Sequence, residues 1–351
     1  MRYIQANNNL FRGSRQQIVP GSVKVLLRHR TFFGVEYPPM STKRSTKRNT
    51  IYWGLLLFVL AQVLILLVAP RIDPFLDEKD IYVPGQPSEP ISWWPGEVTL
   101  PSGEVIEVPI HSAMGPVLIY VLVAAAVLGI TLSLIPLTAL KVVLRLVFAL
   151  LFSWGAFIAT VFYLPLPLAI ATGVAAGTLW FLIPLVWLHN VVLILAVSSS
   201  GAVFGRFITP WTAMAIIGAL AIYDFLAVRF RFMLWMADRL SQINALPALI
   251  IPKNYSDWNL NLKKRRTKVV EVSPTDREYS ILGGGDIAFP CLLTASVYFA
   301  RGFAPAAIIA ALGFLGLVSV YAIQAIFLKG KPMPALPPIA AFALVGLLVI
   351  W

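Results

Sequence analysis

Cysteine is almost absent: Cys291 is the only one in 351 residues, so neither an internal disulfide framework nor a CxxC redox motif can form. Histidine occurs three times, at His29, His111 and His189, and no HExxH is present, which removes the common zinc-hydrolase arrangement. A serine mechanism built on Ser198, Ser199 and Ser200 lacks a histidine base after them in the chain, and His189 reads more simply as a polar residue in a short loop. Charge is scarce too. Charged residues make up 13% of the chain against 58% hydrophobic, and the mean hydropathy is +0.80, far outside globular usage. Such a chain belongs in a lipid bilayer. Residues 1–50 are polar and basic with no apolar core, so no cleavable signal peptide is expected there. No internal repeat is visible, and no inverted pair of broken hydrophobic segments points to a transporter.

Apolar stretches of about twenty residues, enough to cross a hydrocarbon core of roughly 30 Å, begin near Ile51, Pro116, Leu140, Pro167, Val191, Pro210, Ile281, Ala304 and Pro334. The sequence therefore predicts an all-α polytopic membrane protein with nine transmembrane helices. The fifth span is the shortest, and its Ser198, Ser199, Ser200 and Gly201 suit close helix packing, which predicts a buried helix. Charge orients the set. Residues 1–50 carry ten Lys and Arg against Glu36 alone and are expected to be a cytosolic segment of composition compatible with disorder. The loop 70–113 is acidic and is expected outside. The loop 228–280 is basic, with Lys263, Lys264, Arg265, Arg266 and Lys268 at its centre, and nine alternating spans place it in the cytosol. The organisation is then 1–50, spans one to six over 51–227, the basic loop 228–280, and spans seven to nine over 281–351. The net charge of +12 lies beside apolar runs, where it anchors to anionic lipid, so no nucleic-acid partner is expected. Met40 precedes the basic stretch before the first span, so residues 1–39 read as an optional extension or a misassigned start.

Every acidic residue sits in a water-facing segment except Asp224 and Asp286. A carboxylate within a bilayer costs a few kcal/mol even on lenient scales, so an intramembrane acid is a functional hypothesis by default. The bland alternative is a protonated Asp hydrogen-bonded to a neighbouring helix. Depth favours function. Asp224 precedes Arg229 by five residues on an inward span, about 8 Å of helix. Asp286 follows Ser280 by six on an outward one, about 9 Å. Both carboxyls reach one level in the cytosolic half of the membrane, and consecutive helices are usually neighbours. Two close carboxyls in a poorly solvated site tend to share one proton, giving a base that activates water and an acid that serves the oxyanion and the leaving amine.

Gly283, Gly284 and Gly285 precede Asp286 and permit close backbone approach. An unwound substrate could add to a strand edge, and Lys268 to Val272, with three valines, is the expected edge. Pro332, Pro334, Pro337 and Pro338 surround Ala335 and Leu336 before the last span, a cluster that resists helix.

These features in this order resemble the GxGD intramembrane aspartic proteases of presenilin and signal peptide peptidase type, and most closely the archaeal presenilin homologues. Tyr223-Asp224 matches the family's YD pair, Gly283-Gly284-Gly285-Asp286 its GxGD motif, and Pro334-Ala335-Leu336 its PAL motif, extended by Pro337. The likeness spans roughly residues 51–351. It implies a presenilin-like fold, catalytic roles for Asp224 and Asp286, and an active-site supporting role for the PAL segment. It also implies single transmembrane helices as substrates, no cofactor or metal, and no obligatory partner subunits, with homo-oligomerisation left open. The predicted cytosolic N-terminus places the chain in the cell membrane in the presenilin orientation. The variable GxGD position, often a larger apolar residue, is Gly284 here, and the cytosolic loop is short beside that of animal presenilins. From other classes, the same aspartates would suit a proton- or cation-coupled secondary transporter, although PAL has no use there. A prepilin-type peptidase shares GxGD but has a shorter chain without PAL. A protein that binds membrane helices without cutting them is the third alternative.

Overall fold

Apolar segments can place their amides and carbonyls in lipid only by pairing them within the segment, and the chain folds accordingly. The computed structural model describes residues 46–76, 93–99, 105–108, 113–134, 137–229, 246–262, 279–327 and 333–351, all of them within one unit, Lys43–Trp351. Among the described residues there are nine α-helices: α1 (Thr46–Leu76), α2 (Met114–Leu134), α3 (Leu137–Val161), α4 (Leu166–Leu182), α5 (Val186–Phe207), α6 (Pro210–Arg229), α7 (Gly285–Arg301), α8 (Phe303–Ile326) and α9 (Leu336–Ile350). Six of them, α1, α2, α3, α5, α6 and α8, are long and apolar enough to cross a membrane. α4 and α9 are apolar but shorter, at 17 and 15 residues. α7 has 17 residues and carries Asp286 in its first turn and Arg301 in its last.

The all-helical expectation is incomplete. Two antiparallel strand pairs accompany the helices, β1 (Gly96–Thr99) with β2 (Val105–Val108), and β3 (Ala248–Pro252) with β4 (Tyr279–Gly283), together with a short 3-10 turn at Tyr255–Asn259. The seventh span does not start at Ile281. Ile281, Leu282 and Gly283 are in β4, and the helix begins at Gly285, because three successive glycines are poor helix formers and interrupt its propagation. The ninth helix begins at Leu336, two residues after Pro334, and Pro337 and Pro338 fill first-turn positions where no amide is needed. The edge expected at 268–272 lies outside the described residues, as do the basic segment 1–45 and much of the outer loop.

α5 is the hub. It packs on α1, α3, α7 and β3, and small residues allow the approach: a Cβ on Gly155 would run into Ala196, one on Gly201 into Cys291, and one on Gly205 into Ala295. Ser198 and Ser199 bond the Ala61 and Gly155 carbonyls at 3.1 and 2.8 Å, so the serines lock helix to helix and the fifth span is the buried helix its small residues predict.

Contacts between elements, of side chains and of backbone, define two ends of the bundle. At one, Trp53 near the start of α1 meets the Trp258 ring edge-on at 5.1 Å, and Leu262 bonds Pro184 between α4 and α5. At the other, Tyr163 after α3 bonds Leu67 of α1, Ser296 bonds Ile208 between α5 and α6, and Arg301 bonds Ile350 and stacks on Trp351. β3, β4 and both aspartates belong to the first end.

Candidate active site

Asp224 lies on the one buried face of the last turns of α6. Ala221, Asp224 and Ala227 are buried at helical spacing, whereas Ile222, Tyr223, Phe225 and Leu226 are exposed. Tyr223 therefore stands beside Asp224 in sequence but faces the other way. The buried face packs on α7 and α9, and the contact with α9 is specific: the Leu336 amide donates to Asp224 Oδ2 at 3.3 Å, and Ala335 supplies a further backbone hydrogen bond. An α-helix begins there with unsatisfied amides and the positive end of its dipole, which favours a carboxylate. Pro334-Ala335-Leu336 is the segment that presents those amides.

Asp286 arrives on the first turn of α7. The strand β4 leads into it, so the chain passes from extended to helical within Gly283-Gly284-Gly285. Gly283 backbone-bonds the Asp286 carboxyl, and a Cβ on Gly283 would lie 2.9 Å from its Oδ2. At Gly284 the constraint is backbone against backbone. Its amide donates to the Pro247 carbonyl at 2.9 Å, and a Cβ there would lie 2.5 Å from that same oxygen. The variable GxGD position is thus filled by glycine because β3 starts against it. A Gly284→Val protein is expected to lose roughly 1–3 kcal/mol of stability by overpacking together with most activity, and thermal unfolding in detergent would check the first.

The two carboxyls are within electrostatic reach of each other across the α6–α7 contact. The structure thus brings together Asp224, Asp286, Gly283, Gly284, Ala335 and Leu336, with Gly285 beginning α7 and Pro334 just before the helix start, and leaves Tyr223 on the exposed side. Among the described residues no three His, Cys, Asp or Glu side chains gather as a metal site requires.

The sequence reading missed three residues around this centre. Tyr321 of α8 is also within electrostatic reach of Asp286, and its hydroxyl fills the space above Gly54. His189 and Asn190 are buried in α5, which corrects the loop placement expected for His189, and both bond β3. The available signal was the same for all three: a hydrogen-bonding side chain in an otherwise apolar run.

A family model described as "Signal-peptide peptidase, presenilin aspartyl protease" matches residues 110–351. No curated protein matches. Among solved structures, a presenilin-family intramembrane aspartate protease in a C222 crystal form is 16% identical, with 85% of this chain and 97% of that one covered and a TM-score of 0.53, which shows a shared fold. A structure described in the same words in a P2 form is 16% identical over 84% and 94% of the two chains, with a TM-score of 0.48.

Proposed function

Because the chain belongs to the signal-peptide peptidase and presenilin aspartyl protease family, we propose that it is a GxGD-type endopeptidase that cuts peptide bonds within the transmembrane helices of membrane-protein substrates, with Asp224 and Asp286 as the catalytic pair. One observation carries this reading: two acids from helices of opposite direction face a single contact, one held by the amides that open α9 and the other by the turn that opens α7. A structural role asks for no second acid at that point.

The pair shares one proton. The ionised member takes a proton from water as its oxygen attacks the scissile carbonyl, and the protonated member hydrogen-bonds the oxyanion. Collapse of the tetrahedral intermediate breaks the C–N bond, and the amine leaves with a proton from the pair. The titration belongs to the pair, so base and acid are not assigned to one residue each. The backbone amides at Ala335 and Leu336 hold Asp224 in place during these steps. Substrate must be unwound for its peptide bonds to reach the pair, and β4, which runs directly into Asp286, offers an extended partner.

We place the N-terminus and the site end of the bundle in the cytosol, following the basic segments. No cofactor is needed, and the chain acts without obligatory partner subunits.

The test is cleavage of a transmembrane reporter peptide by purified protein in liposomes, with products located by mass. Cutting within the apolar stretch is expected. Uptake of protons or cations with no cutting would favour a transporter. Since the mechanism needs one proton on the pair, the rate should fall in alkaline solution as both carboxyls ionise, and a rate that keeps climbing beyond about pH 9 would contradict the shared proton.

A further inference from the structure

An isolated two-stranded sheet has two open edges, and an extended peptide can add to either. In the β3–β4 pair one of them is closed by side chains. Asn190 of α5 donates from Nδ2 to the Ile250 carbonyl at 2.7 Å and accepts from the Ile250 amide through Oδ1 at 2.9 Å, which is the two-point pattern a neighbouring strand would make. At the preceding residue of α5, Trp180 of α4 donates from its indole to His189 Nδ1 at 3.0 Å. The indole can only donate, so Nε2 carries the imidazole hydrogen and donates to the Ala248 carbonyl, also at 3.0 Å. Ala248 and Ile250 share one edge because alternate residues of a strand point their polar groups to the same side. The third residue on that edge is Pro252, which has no amide to leave unpaired. Trp180, His189 and Asn190 are all buried, so this edge is sealed within the bundle.

The register then fixes the other edge. Ile250 pairs with Ile281, and since Ile250 points its amide and carbonyl away from β4, Ile281 points its own away from β3. Among the described residues no strand lies beyond β4. Its open edge therefore presents the Ile281 amide and carbonyl two residues before Gly283, whose backbone bonds Asp286.

We propose that Asn190, supported by His189 and Trp180, is a positioning residue for substrate: by occupying the far edge of β3 it makes the strand pair a one-sided receptor and fixes the β4 register that determines which peptide bond meets the acids. This rests on the protease reading above. A sheet free to slide would keep its side chains on the correct faces only in steps of about two residues, so loss of the brace should appear as displaced cutting.

Asn190→Ala in liposomes is expected to raise KM for the reporter peptide roughly tenfold, with a smaller change in kcat, and to add products cut about two residues from the original bond. A merely structural role would lower the amount of active protein and leave KM and the product masses unchanged, and that result would overturn the proposal. Hydrogen exchange supplies an arm that needs no change at Asn190. In Asp286→Asn protein loaded with the reporter peptide, the Ile281 amide should gain protection while Ile250 is protected with and without peptide. Protection gained at Ile250 and not at Ile281 would refute the one-sided edge even if Asn190→Ala fails to fold. Failure of the unaltered protein to cut any transmembrane reporter removes the protease reading itself. Cutting that is indifferent to Asn190 removes this inference alone.

Discussion

Asp224→Asn and Asp286→Asn are each expected to reduce reporter cleavage by at least about 10³-fold while the purified protein keeps its elution profile and its thermal stability. Asparagine is nearly isosteric with aspartate and can still accept the Leu336 amide at 224 or the Gly283 amide at 286, so packing is preserved. It can neither take a proton from water nor return one to the amine. Removing a carboxylate from a buried position relieves a desolvation cost, so the variants should unfold at the same temperature as the unaltered protein or slightly above it. The bland alternative, a protonated Asp serving only as a hydrogen-bond bridge, predicts the opposite pattern: some loss of stability with activity retained. The double variant should be no worse than either single one, because groups that share one proton act as a unit. Activity surviving in either single variant would end the dyad.

Leu336→Pro tests the other half of the site. Proline is well tolerated at the start of a helix, and Pro337 and Pro338 already follow there, so α9 should persist. The change deletes the amide that bonds Asp224 at 3.3 Å. A hydrogen bond to a charged group is worth about 1.5–3 kcal/mol, which corresponds to roughly a 10- to 100-fold loss in kcat if the bond holds Asp224 in its working position. Leu336→Ala, which keeps the amide and removes buried side chain, is the control: it should lower stability by about 2–5 kcal/mol with a smaller effect on kcat. If Leu336→Ala and Leu336→Pro cost the same activity, the amide is not what the PAL segment contributes.

The site was legible to unequal degrees. Asp224 and Asp286 stood out because acids are rare in apolar spans; the depth arithmetic on straight helices did not hold for Asp286, since Tyr279–Gly283 is strand and the helix starts only at Gly285. Glycine at 284 could be read only as a small residue, since nothing in the local sequence says that the Pro247 carbonyl sits 2.5 Å from where a Cβ would be. The strand pair was missed because 248–252 and 279–283 are short apolar runs, which periodicity alone cannot distinguish from helix ends. Asn190 and Ile250 are sixty residues apart, and no local signal links them.

By itself the sequence determined that this chain is membrane-embedded and which two acids are out of place, because hydrophobicity and charge act residue by residue against lipid and water. Only the tertiary structure decided that the PAL amides close on Asp224, that α7 is introduced by a strand, and that one edge of that strand's sheet is sealed by α5. Those are matters of which distant backbone groups remain unpaired after the helices form, and a hydrogen bond between residues far apart in the chain exists only once packing has brought them together.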